Sequence, residues 1–133
     1  MTIPDGYEMA LVAPHMYMDY MSGMTPFDFQ VRISERIAHN INLCEKNNEV
    51  RILLVNAPPQ HGKSEFLSKW TTAWYLERYQ TRNVLLTSYG ASYAASWGGK
   101  VRNEIKTNPK IRMSVSKDSK ARDEWSTEQG GYM

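Results

Sequence analysis

The sequence predicts an α/β fold, with a parallel sheet flanked by helices. Two apolar runs carry that expectation, 50–56 (VRILLVN) and 83–88 (NVLLTS). The first is short, β-branched and apolar on both faces, as a buried parallel strand is. Each run leads through a glycine-containing stretch into a segment of helical period. The order along the chain is therefore helix, strand, loop, helix, strand, helix, which is an α/β order.

Taken in order, residues 1–25 hold six of the eight methionines with Pro4, Pro14 and Gly23, and sustain no period. They are expected to form an irregular N-terminal arm. Pro26 opens a helix to about Lys46, striped by Phe29, Ile33, Ile37, Ile41 and Cys44, with Arg32, Glu35, Arg36 and Asn40 facing away. Asn47-Asn48 ends it. A second helix is expected from Lys63 to about Tyr79, with Phe66, Trp70, Ala73 and Trp74 on one face. A third runs from Gly90 to about Lys106, striped by Ala94, Trp97, Val101 and Ile105, and is broken at Asn108-Pro109. Residues 111–116 and 124–128 alternate weakly and read as short strands, the second entering a Gly130-Gly131 turn.

At 133 residues the chain is one domain or part of one. Hydrophobic residues at 41% and charged residues at 23% place it among globular proteins, not disordered ones. The longest apolar stretch, 52–55, is far too short to cross a bilayer, so no membrane is expected. No basic residue precedes Arg32, which excludes the positive start of a secretory signal. The single cysteine, Cys44, has no internal partner; it fits a reducing cytoplasm and reads as a small buried apolar residue. Charge is unevenly spread. Residues 1–31 carry four carboxylates and no base, whereas 100–122 carry eight Lys or Arg against Glu104 and Asp118. Such a segment can meet nucleic acid phosphates, although charge runs more often form a solvated face.

The chemistry concentrates at residues 57–64, Ala-Pro-Pro-Gln-His-Gly-Lys-Ser, between the first apolar run and the second helix. This is a phosphate-binding loop in the setting the motif needs, and it implies ATP with Mg²⁺. Ala57 stands where the pattern has its first glycine. Pro58 and Pro59 have no N–H to offer phosphate and only stiffen the entry. Gln60 follows, and the anion cradle then falls to the N–H groups of about His61 to Glu65, at the positive end of a helix. Gly62 lets the main chain approach without a Cβ. Lys63 is the candidate catalytic residue, a point charge on the β and γ phosphates, and the Ser64 hydroxyl is the Mg²⁺ ligand. His61 reads as a shaping residue of the loop. His15 and His39 have no partners at ligand spacing, so no other metal site is expected. Gln30 either meets an adenine edge or faces solvent.

APPQHGKSEF resembles the ATPase loop of tailed-phage terminase large subunits, the motors that pump DNA into empty capsids. VLLTSYGASYAASWGGKVRNEI is similar to the family's second strand and following helix, and DSKARDEWSTEQGGYM to its Trp-containing hairpin. The resemblance spans about 26–133. It implies an incomplete RecA-like P-loop core over those residues and a bacterial host cytoplasm. It further implies double-stranded DNA, a portal protein and a small terminase subunit as partners, and a homo-oligomeric ring. By position, Lys63 and Ser64 take the phosphate and Mg²⁺ roles. Ser88, Tyr89 and Ser92 fall on the route between nucleotide and DNA, and Arg102 is a candidate phosphate or subunit contact. Helix capping or solvation would account for these last four equally well.

Two departures from the family pattern stand out. Gln60 occupies the place where many members have an arginine, and no apolar strand ending in paired acidic residues follows the loop. The expectation is thus an N-terminal portion of a terminase ATPase domain, without its acidic-strand half or its nuclease domain. Alone, it would bind MgATP weakly, hydrolyse it at background rate and self-associate through an open apolar strand edge. A helicase-like ATPase or a non-catalytic nucleotide-binding module are the other readings.

Overall fold

A computed structural model describes residues 5–57, 62–117 and 121–133. The expected parallel sheet, and with it the RecA-like core, is corrected by the structure: 55% of it is helix, 4% is strand, and no sheet is present. The core is built by helices packing on helices.

The N-terminal stretch, expected to be irregular, forms two helices. α1 (Gly6–Ala10) is capped by Asp5, whose carboxylate accepts the Glu8 N–H at 2.9 Å. α2 (Pro14–Ser22) starts on a proline and stops at Gly23, which takes a left-handed φ of 76°. Helices of 5 and 9 residues are too short to establish a period in sequence. Tyr7, Ala10, Tyr17, Met18 and Met21 nevertheless enter the core.

α3 (Asp28–Asn47) forms where its stripe predicts, and Ile33, Ile37 and Ile41 of that stripe meet the core, with the neighbouring Gln30 and Ser34 buried deeper than most of it. Gln30, Ser34 and Ile37 are its buried residues, while Phe29, Ile33, Ile41 and Cys44 are only partly covered. The Ser34 hydroxyl explains part of this. It accepts the His15 N–H at 2.9 Å and lies 2.8 Å from His15 Nδ1, joining α2 to α3. Burial holds the His15 pKa below its ordinary value.

The second predicted helix begins at Lys63. It widens into π-type turns over Glu65–Trp70 and continues as α4 (Thr71–Arg78). Phe66, Trp70, Ala73 and Trp74 are fully buried, as their spacing predicts. α5 (Ala91–Thr107) buries Trp97, Val101 and Ile105 against this helix, leaving Ala94 partly covered.

Residues 50–56 and 83–88, expected as strands and the first of them as a buried one, lie extended; among the described residues their one bridge is a parallel one, Asn83 with Tyr132, where the Val84 N–H donates to Tyr132 O at 2.9 Å. A strand is held by neighbours on both sides and a layer on each face; the largely exposed residues of these runs lack that cover. Val84 and Leu86 rest on the core, whereas Leu85 is 88% exposed. Val50, Ile52 and Leu54 point outward at 93%, 84% and 84% exposure. Near the C-terminus the expected short strands reduce to single bridges, Val115 with Thr127 and Ser126 with Tyr132. Trp125 and Met133 exchange two main-chain hydrogen bonds, of 3.1 and 2.8 Å, around a turn in which Gly130 has φ 105°.

Trp125 is buried and its indole N–H donates to Gly98 O at 3.2 Å, pinning this turn to α5. The close approach needs a glycine, because a Cβ at residue 98 would stand 2.6 Å from the Arg122 carbonyl oxygen. Gly98→Ala is expected to cost about 1–3 kcal/mol through that backbone clash, despite the better helix propensity of alanine. A urea titration with no shift in midpoint would contradict this. No described helix is long and apolar enough to cross a membrane.

Candidate functional site

The site is built where α3 passes the start of the second long helix. Gly62 adopts φ 74°, a left-handed conformation that only glycine takes without strain, and it turns the chain into the helix. The Phe66 N–H bonds back to Gly62 O at 3.1 Å, closing the first turn. The amides of Lys63, Ser64 and Glu65 therefore stand at the N-terminal turn, where the helix dipole favours an anion.

Two lysines on this helix contrast. Lys69 is committed: its ammonium lies 3.1 Å from Glu104, 4.0 Å from Glu65, and 4.6 Å from the Trp70 ring centroid. Lys63 is half-buried and has no carboxylate partner among the described residues. An unpaired ammonium beside a hydroxyl and a helix N-terminus can hold a phosphate and a divalent cation.

Gln30 is 5% exposed and sits against this turn. Its Oε1 accepts the Phe27 N–H at 2.9 Å, which caps α3. Its Nε2 lies 3.4 Å from where a Gly62 Cβ would be, so the amide end sits beside Gly62. The solvent-facing alternative for Gln30 is thereby excluded. Ala57 lies at the other end of the loop, lining a cleft of about 390 Å³ with Phe29, Arg32, Ile33, Arg36 and residues 53–56. Pro58, Pro59, Gln60 and His61 lie outside the described residues.

Arg32 and Arg36 are exposed, as sequence periodicity expects, and both line this cleft. Of the remaining candidates, Ser88 lines a separate hollow between 84–88 and α5. Tyr89 is 92% exposed and Ser92 is exposed on the first turn of α5. Arg102 donates to Ala121 O at 2.7 Å, a structural use of its guanidinium. None of these four lines the cleft at Ala57. No group of three or more His, Cys, Asp or Glu that could hold a metal occurs among the described residues. Cys44, expected as a small buried apolar residue, is partly buried beside Ile41 and Glu45.

No family model, curated protein or solved structure matches the chain.

Proposed function

We propose that residues 62–65 grip the triphosphate of MgATP and that the chain is the ATP-binding portion of a viral DNA-packaging motor. The observation that carries the nucleotide reading is Gly62 at φ 74°, opening a helix directly onto Lys63 and Ser64 with the Gln30 amide alongside. This arrangement is local to one turn and one neighbouring helix, so it does not depend on a sheet. Lys63 neutralises phosphate charge, Ser64 offers a hydroxyl to Mg²⁺, and the N-terminal amides fix the anion. Gln30 supplies a donor to the nucleotide. Bound MgATP would bring the phosphoryl bond whose hydrolysis drives translocation. The motor assignment itself rests on the resemblance of three spaced segments, 57–66, 84–105 and 118–133, to terminase large subunits.

Titration calorimetry with ATP, in Mg²⁺ and in EDTA, tests the site. Saturable binding strengthened by Mg²⁺ is expected. No heat at millimolar nucleotide would remove the proposal.

A further inference from the structure

We infer that one edge of α5 is a stacking platform for the bases of single-stranded nucleic acid. Tyr89, Tyr93 and Trp97 recur at steps of four and form a continuous ladder. The Tyr89 and Tyr93 rings stack at 5.3 Å between centroids and 28° between planes, and Tyr93 meets Trp97 edge-on at 6.3 Å. Their exposure falls along the ladder, from 92% at Tyr89 to 40% at Tyr93 and 9% at Trp97. The platform is thus rooted in the core at one end and offers an open ring face at the other. Holding two phenol rings parallel in water, one almost wholly uncovered, does nothing for burial of the core; it does present a flat π surface.

The charge along the edge selects the occupant. Lys100 places its ammonium 4.0 Å from the Trp97 ring centroid, at the rooted end of the ladder. The carboxylate that follows on this edge, Glu104, is held by Lys69 at 3.1 Å. Rings followed by a cation, with the nearby carboxylate already paired, suit a polyanion carrying planar groups. A duplex keeps its base faces stacked inside and has none to give these rings, whereas a single strand has one at every nucleotide. The inference uses no residue of 57–65 and stands apart from the nucleotide reading.

The test is fluorescence anisotropy of a labelled oligothymidylate and of a labelled duplex of equal length, with the full chain and no ATP. The single strand is expected to bind more tightly than the duplex. Tyr89→Ala with Tyr93→Ala is expected to weaken oligothymidylate binding at least tenfold while leaving the duplex unaffected. Tyr89→Phe with Tyr93→Phe, which keeps the rings, stays within about twofold of the unmutated chain. Lys100→Gln lowers the salt dependence by about one phosphate contact. Both tyrosines lie on the surface, and circular dichroism of each variant checks that the fold is kept. Equal binding by the double alanine variant, preference for the duplex, or no binding of the single strand each overturns the platform.

Discussion

Glu77→Ala is expected to bring the chain close to unfolding. Glu77 is 2% exposed, yet no cation lies within ion-pair range of it among the described residues. Its carboxylate is satisfied by neutral donors instead. The Tyr17 hydroxyl donates to Oε2 at 2.7 Å, and the Arg112 main-chain N–H donates to Oε1 at 3.0 Å. Tyr7 lies close enough to the same carboxylate for its phenol pKa to be raised by it as well as by burial. One side chain on α4 thereby holds α2 and the segment after α5. Truncation strands these donors in a dry interior, at about 1–3 kcal/mol for each buried group left unpaired. A total on the order of 3–5 kcal/mol is a large share of the stability of a small domain. Glu77→Gln keeps an acceptor and should lose less. The urea midpoint measures both; an unchanged midpoint for the alanine variant would mean that the network contributes nothing.

The same network fixes the alkaline limit of the fold. Burial, followed by the neighbouring Glu77, raises the pKa of both Tyr7 and Tyr17 above the ordinary 10.0. Below pH 10 both phenols are protonated whether the chain is folded or not. Above it the unfolded chain releases these protons while the folded chain retains them, so stability falls as pH rises from about 10. Tyr17→Phe, having no proton to lose, should flatten that fall.

Lys63→Ala is expected to weaken MgATP binding by about ten- to a hundredfold, the effect of losing a charge-assisted hydrogen bond of about 1.5–3 kcal/mol. Because this ammonium is bound to nothing else described, its removal should leave the thermal melt unchanged, which separates a ligand role from a structural one. Lys69→Ala is the internal contrast: it breaks the contact to Glu104 and acts on stability, leaving nucleotide affinity nearly intact. Equal affinity of the Lys63 variant and the unmutated chain would sink the phosphate assignment.

The three long helices were legible in the sequence because each is long enough to repeat its apolar stripe. The stripes of the 63–79 helix and α5 also named their buried tryptophans correctly. The sheet was not legible. An apolar run states that a segment wants cover; it does not say that a partner is at hand, and 50–57 found none among the described residues. At α3 a polar contact, Ser34 with His15, adds buried polar residues beside the hydrophobic stripe that the apolar pattern did not name. Glu77 was invisible for a related reason. A glutamate inside a helix reads as solvated, and its partner Tyr17 lies 60 residues away. At the candidate site, the order Gly62, Lys63, Ser64 and the helix that follows could be read directly, since those features are adjacent in the chain. The approach of Gln30 to Gly62 bridges 32 positions, so its burial, which removes the solvent-facing reading, needed coordinates.

The bare extended runs set how this molecule exchanges its amide protons. Among the described residues no main-chain partner protects the N–H groups of 50–57 or 85–88, whereas those of α4 and α5 are locked in helices against the tryptophan core. Deuterium should therefore enter the two runs at the rate of a free peptide while the helices between and beyond them take it up only on opening. The chain carries its most solvent-averse sequence in its least protected backbone, directly upstream of the loop on which the nucleotide proposal turns.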